Sequence, residues 1–218
     1  MELNDKKKKI LIAAGIAVAI LVLFLGFQII TQQIAVSRGV DFLADGEYQK
    51  AYENFLNAEN KHTILTSKKN IRYYEGECLV YLGRYKDAAD VYGEILDGHR
   101  EARAYALRGF ALQQNGDSEE ALQAYESAID ADKKDGIGYY YLFGYYVENE
   151  QYEDALAILE EAQDVPVTSM EQEIAYAKIV AYEKLLQYDK ALEEAEAYCE
   201  AYPDDEKGLN EKTFLESR

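Results

Sequence analysis

One short pattern recurs five times along the chain: a turn, then an aromatic or small residue, then Ala three positions later. It reads Gly46-Glu47-Tyr48 with Ala51, Gly83-Arg84-Tyr85 with Ala88, Gly116-Asp117-Ser118 with Ala121, Glu150-Gln151-Tyr152 with Ala155, and Leu186-Gln187-Tyr188 with Ala191. Successive alanines are 37, 33, 34 and 36 residues apart. A period near 34 is that of helix-turn-helix units, each too small to bury its own apolar face and each completed by its neighbour. The expected fold is therefore all-helical and built by repetition. The functional question moves from catalysis to binding.

Each repeat position has a physical reason. The turn reverses the chain between antiparallel helices, and Gly suits it because positive φ carries no Cβ clash there. The Ala opens the inner face of the second helix, where two helices cross too closely for a larger side chain. Four residues on stand Phe55, Tyr92, Tyr125 and Leu159, with the smaller Ala195 in the fifth unit. Three further on stand Ala58, Ile95, Ala128, Ala162 and Tyr198. Spacings of four and three keep these side chains on one helical face. Seven residues before the turn, the first three units carry Gly39, Gly76 and Gly109, again permitting close helix contact. The expected packing set is Gly39, Ala51, Ala58, Gly76, Ala88, Gly109, Ala121, Ala128, Ala155, Ala162 and Ala191.

These residues make the chain resemble the tetratricopeptide repeat (TPR) family, whose pattern is W-x2-L-G-x2-Y, then A-x3-F, then P. The resemblance covers roughly residues 32–203. It implies a right-handed α-solenoid of about five repeats (32–65, 69–101, 102–135, 136–170 and 172–203) with a capping helix over 204–218. The departures are visible. The chain has no Trp, and Ala35, Arg72, Tyr105 and Ala175 fill that slot in four repeats. Repeats four and five lack Gly in the turn, and Gly144 stands one residue out of register. The loop proline survives only as Pro203, ahead of the helix-start signal Asp204-Asp205.

The N-terminus carries a second strong signal. Lys6, Lys7, Lys8 and Lys9 precede an uncharged stretch from Ile10 to Ile30. At about 1.5 Å per residue this stretch covers the roughly 30 Å of a hydrocarbon core. A cleaved signal peptide has a shorter apolar region of about 7–15 residues. Cutting at the cleavage-like Ala35-Val36-Ser37 would also remove half of the first repeat's opening helix. The reading is an uncleaved anchor over 10–30 behind a cytoplasmic basic flank, 1–9. Basic residues stay on the cytoplasmic side, and the next one after the stretch is Arg38. The expectation is a single-pass cell-membrane protein with its N-terminus cytoplasmic and its repeats, 31–218, outside. The spacer Thr31-Gln32-Gln33 contains no Pro or Gly, so the anchor is expected to run straight into the first repeat.

Charge is divided unevenly. Residues 1–30 carry a net +2, residues 31–100 a net −2, and residues 101–218 hold 10 basic against 28 acidic groups, a net −18. Such a field disfavours nucleic acid, whose phosphates need Lys and Arg. It serves either as a solvated outer face or as a docking field for a basic partner. Lys61, His62, Lys68, Lys69 and Arg72 form a local basic cluster, read either as a solvated loop or as a contact with anionic lipid headgroups. Cys78 and Cys199 lie in different repeats and are expected to be free thiols.

Catalysis and metal binding find little support, and no cofactor is implied. His62 and His99 are the only histidines, and no H-E-x-x-H, C-x-x-C, G-x-x-x-x-G-K-[ST] or G-x-G-x-x-G occurs. Carboxylate pairs such as Glu119-Glu120 and Glu193-Glu194 fit solvated helix faces. The chain is not expected to be an enzyme.

Aromatics give a better lead. Twenty tyrosines include the run Tyr139-Tyr140-Tyr141 and the pair Tyr145-Tyr146. A run covers every face of a helix, so some rings belong to the core and others face outward. The TPR resemblance implies that the first helix of each repeat lines a concave groove. Its groove positions fall on Tyr73, Tyr81, Arg103, Phe110, Tyr140 and Tyr176. Tyr buries large area with few rotors and keeps a polar tip, which suits peptide binding; the competing role is packing between repeats. The Lys and Asn set with which some family members clamp a C-terminal carboxylate is absent, since Tyr73, Glu77, Ala106 and Phe110 stand in those slots. The functional expectation is a membrane-anchored scaffold for a protein or peptide partner, similar in architecture to bacterial translocon-associated TPR proteins that assist secretion or envelope assembly. The alternative is a self-assembling, homo-oligomeric structural component.

Overall fold

A computed structural model describes residues 2–61 and 67–218, with side chains from residue 6 onward. Among the described residues there are eleven helices and no strand: α1 (Glu2–Ala44), α2 (Tyr48–Glu59), α3 (Lys68–Tyr81), α4 (Tyr85–Ile95), α5 (Ala102–Asn115), α6 (Ser118–Ala131), α7 (Ile137–Glu148), α8 (Tyr152–Gln163), α9 (Glu171–Lys184), α10 (Tyr188–Ala201) and α11 (Glu206–Glu216). The chain divides into two compact units, one ending at Val91 and one beginning at Tyr92.

All five repeat turns share one geometry. The residue after each first helix takes positive φ: Gly46 (74°), Gly83 (69°), Gly116 (91°), and, without glycine, Glu150 and Leu186 (both 59°). At each, two amides reach back into the last turn, as with Gly46 N–H to Leu43 O (3.1 Å) and Glu47 N–H to Phe42 O (2.8 Å). The pair recurs at Leu186 N–H to Glu183 O (2.9 Å) and Gln187 N–H to Tyr182 O (2.9 Å). This crossed arrangement satisfies carbonyls that a helix end would otherwise leave open. It is strong enough to hold a glutamate and a leucine in the left-handed region, at about 1–2 kcal/mol each.

In the first unit, α1 pairs with α2, and α2 packs against α3. The helix α1 continues unbroken from the apolar stretch into the first repeat. Its side chains from Lys6 through Leu25 stand exposed, and burial begins with the stripe Gln32, Ala35 and Gly39. The Gln32 amide donates to Ala58 O at 2.9 Å, which satisfies a polar group that is itself buried. Ala35, Ala51, Phe55, Ala58, Ile71 and Cys78 form this unit's core. Phe55 lies flat on α1 where Gly39 has no side chain: a Cβ there would stand 2.6 Å from the ring. Among the described residues one helix, that containing Lys6–Ala44, is long and apolar enough to cross a membrane.

In the second unit, α5, α7 and α9 pack side by side, and α6, α8 and α10 pack against them in turn. Gly109 meets the Tyr125 ring as Gly39 meets Phe55, where a Cβ would stand 2.6 Å from it. The last repeat is closed by α11, whose Gly208 lies against the Tyr198 ring where a Cβ would overlap it. Asp205 starts α11 by accepting from the Lys207 and Gly208 amides, as a helix-capping aspartate does. Every residue of the packing set expected from the repeat pattern is buried. Gly144, by contrast, has nothing within 4 Å of a Cβ position; it marks an opening rather than a helix contact. Both cysteines are free: Cys78 is buried and Cys199 partly so. Burial, with Glu77 and Glu75 nearby, pushes the Cys78 thiol up to about 12, so it stays protonated and inert.

Candidate functional site

Two adjoining hollows open on the second unit, sharing Tyr140 and Phe143. The smaller, of about 170 Å³, lies among Phe110, Tyr140, Tyr141, Gly144 and Glu148. The larger, of about 380 Å³, lies among Tyr140, Gln172, Tyr176, Tyr198, Asp205 and Lys207. Their walls come mainly from the α5, α7 and α9 layer, with Tyr125 of α6 and Tyr198 of α10, and α11 closes one end. Three groove residues expected from the sequence, Phe110, Tyr140 and Tyr176, thus line one pair of hollows, and all three are half-buried.

The smaller hollow is walled by rings that hold each other. Phe110 meets Tyr141 edge-on at 6.0 Å between centroids, and Tyr140 meets Tyr141 edge-on at 6.0 Å. The Tyr125 hydroxyl donates to Gln113 Oε1 at 2.6 Å, and the Gln113 amide donates to Glu148. Burial pushes the Tyr141 hydroxyl up; Tyr140 adds to this, while the Arg103 guanidinium pulls it down. Arg103 itself is exposed on α5.

The larger hollow is polarised. Gln172 Nε2 donates to the Tyr198 hydroxyl at 2.9 Å, and that hydroxyl donates to Asp205. The bond from Tyr198 holds the Asp205 carboxyl below the ordinary aspartate range. The Tyr176 hydroxyl donates to Glu211 Oε2 at 3.0 Å, and burial together with that carboxylate pushes its pKa up. The Tyr176 ring stands edge-on to Tyr198 at 5.6 Å, and Lys207 Nζ sits 3.6 Å from its centroid. Beneath Tyr176, Glu183 is raised to about 7 by burial and by Glu211, with which it shares a hydrogen bond.

Two expected groove residues, Tyr73 and Tyr81, lie on the first unit. Tyr73 is a correction: expected as a groove-lining anchor, it is 9% exposed. The buried residues of α3 (Ile71, Tyr73, Glu75, Gly76, Cys78, Leu79) occupy more than half its circumference, while Tyr74 and Tyr81 stand exposed beyond its first turn. Tyr81 is exposed on the first unit but stacks on Tyr48, with centroids 4.4 Å apart and rings within 10° of parallel. In the basic cluster, His62 lies outside the described residues, and Arg72 Nε donates to Glu59 Oε1 at 2.9 Å. That ion pair leaves Lys61, Lys68 and Lys69 as the cluster's other described cations. Gln172, Tyr198, Asp205 and Lys207 were not expected at the site, because the capping helix brings the last two and a second helix brings Tyr198. The cue available in the sequence was Asp205 three residues before Gly208, which places the start of α11. Among the described residues no group of His, Cys, Asp and Glu could hold a metal ion.

Paired helices and a shared turn geometry define a helical-repeat module. The Tetratricopeptide repeat model matches residues 73–136 and 143–206. The chain belongs to the tetratricopeptide repeat family, whose members are typically non-catalytic scaffolds for protein–protein interaction. Several solved structures share the fold. A tetratricopeptide repeat protein from Parabacteroides merdae aligns with a TM-score of 0.61 at 16% identity, over 85% of this chain and 72% of that one. A thermophilic TPR protein from Thermus thermophilus aligns with a TM-score of 0.60 at 20% identity, over 85% and 97%. YrrB, described as a TPR protein with an unusual peptide-binding site, aligns with a TM-score of 0.53 at 18% identity, over 82% and 90%. No curated protein matches the chain.

Proposed function

We propose that the chain is a membrane-tethered TPR scaffold that holds an extended segment of a partner protein against Phe110, Tyr140 and Tyr176. The observation that carries this reading is the pair of adjoining hollows, in which half-buried rings remain open beside the bare Cα of Gly144. Such rings offer large area at low entropic cost and act as anchors in interfaces. A peptide-binding site on YrrB, a fold relative, agrees with this use of the fold. The anchor is α1 between Ile10 and Ile30, with Lys6–Lys9 on the cytoplasmic side and the repeats outside it. Because α1 does not break before the first repeat, the first unit is carried on the anchor without a flexible tether. Assistance to secretion or to envelope assembly follows from that architecture by analogy alone.

The test is a photoreactive amino acid in place of Glu148, which is exposed and lines the smaller hollow. Irradiated cells should yield a discrete covalent adduct that is absent when the same group replaces Glu119 on α6. Equal adducts from both positions, or none from Glu148, would remove the groove as the binding surface.

A further inference from the structure

The larger hollow already contains a cation. Lys207, in the first turn of α11, holds its ammonium 3.6 Å from the centroid of Tyr176, well within the range of a cation–π contact. The ring is prepared for this. Its hydroxyl donates to the Glu211 carboxylate, and a hydrogen bond to an anion pushes electron density toward the ring face. Tyr198, edge-on to Tyr176, is polarised the same way by Asp205. Glu173 lies on the rim. Carboxylates therefore stand behind both rings, and residues 101–218 as a whole carry a net −18.

We infer that the larger hollow is a receptor for a lysine or arginine side chain on the bound partner, with Lys207 as an internal stand-in that the partner displaces. This rests on the groove reading above and names the chemistry of its occupant. A resident ammonium shows what the basket accepts: an extended cationic group with a planar π face on one side and carboxylates beyond. An acidic side chain would meet Glu173 and Asp205. A purely apolar one would leave the Tyr176 face without its cation. Lys207 is exposed and reaches the ring from a helix end, so it can swing into water without unfolding α11. Binding is then a competition between two cations for one ring, and removing the internal one strengthens the external one.

The test uses the full chain in detergent micelles and three short labelled peptides that alternate Ala with Lys, with Gln or with Glu. Fluorescence anisotropy should rank Lys first and Glu last. Lys207→Ala should tighten the Lys peptide by about fivefold or more, the scale of a cation–π contact at a partly desolvated site. Lys212→Ala, which removes the same charge from α11 away from the ring, should tighten it by less. Tyr176→Leu, with helical content checked by circular dichroism, should weaken it. Equal gains from Lys207→Ala and Lys212→Ala would mean that only the diffuse acidic field matters and would overturn the basket. Gln and Lys peptides binding alike would overturn the cationic preference and leave the groove reading standing. No binding of any of the three peptides would overturn both.

Discussion

At residues 39, 109 and 208 a missing β-carbon lets an aromatic ring lie on the backbone of the neighbouring helix, and this contact sets how closely two helices approach. The glycines at 39 and 109 were legible in the sequence because they recur at a fixed distance from the turn. Their counterparts in repeats four and five were not, because the chain carries other apolar pairs at the same spacing. Phe143 and Leu159, sixteen residues apart like Gly109 and Tyr125, lie in one core, and Ile179 and Ala195 lie in another. Isoleucine with alanine holds about the summed volume of glycine with a large ring, as interiors hold total volume more strictly than identity. Phenylalanine with leucine instead pairs two large residues, and Phe143 also reaches both hollows. Gly144, read as a displaced member of the series, instead stands beside open space. The contact makes a direct prediction. Gly109→Ala forces a Cβ to 2.6 Å from the Tyr125 ring and should cost about 1–3 kcal/mol in denaturant unfolding. In a Tyr125→Leu background the same change should cost clearly less; an unchanged cost would mean that the ring is not what Gly109 accommodates.

Helix ends and helix continuity are the features of the element scale. Turn position could be read from the sequence even where Glu150 and Leu186 replaced glycine, because the surrounding repeat fixes the geometry. The unbroken α1 was anticipated from a spacer without Pro or Gly. The role of α11 was only half legible: its start is encoded by Asp205, but its partners are set by where α9 lies. Glu183 and Tyr176 on α9 face Glu211 on α11, with Lys184 of α9 and the Arg218 guanidinium nearby. Arg218 stacks between Phe214 and Tyr188, 4.7 Å from each ring centroid. Burial first, then Glu211, lifts Glu183 from the usual 4.5 to about 7. A carboxyl raised on folding contributes stability that is complete below its unfolded value and is lost as pH rises through its folded one. Docking of α11 should therefore weaken between about pH 5 and about pH 8, on the order of 1 kcal/mol after solvent screening. Asp205, lowered on folding, contributes in the opposite sense and loses its part only in stronger acid. Hydrogen exchange in α11, corrected for intrinsic rates, should report the fall across the neutral range, and Glu183→Gln should flatten it. A pH-independent α11 in the unaltered chain would contradict the raised Glu183 carboxyl.

On the scale of the whole chain, repeat number and helical class were legible because periodicity survives the loss of individual consensus residues. Which tyrosines would be open was not, because burial depends on neighbouring helices that no single repeat specifies. Tyr73 shows this: its position in the repeat matched the groove, yet α3 is enclosed round most of its surface. The charge map makes the prediction at this scale. Under the proposed topology, a membrane-impermeant thiol reagent added to intact cells should label Ser118→Cys in a Cys199→Ser background. Ser118 is exposed beside the third turn, and Cys78 is buried, so the new thiol gives the readable signal. Labelling only after lysis would place the repeats on the cytoplasmic side.

The proposed scaffold stands or falls on whether the half-buried rings of the second unit are kept open for a partner or hold the fold together. Replacing a core aromatic by Ala costs a fold about 3–5 kcal/mol, whereas truncating an interface anchor costs binding about 1–4 kcal/mol. The double variant Phe110→Ala with Tyr140→Ala, compared with the unaltered chain for both partner recovery from solubilised membranes and melting temperature, separates the two. Recovery should be lost while the melting temperature falls by only a few degrees; undiminished recovery, or a collapse of the melting temperature, would contradict the groove.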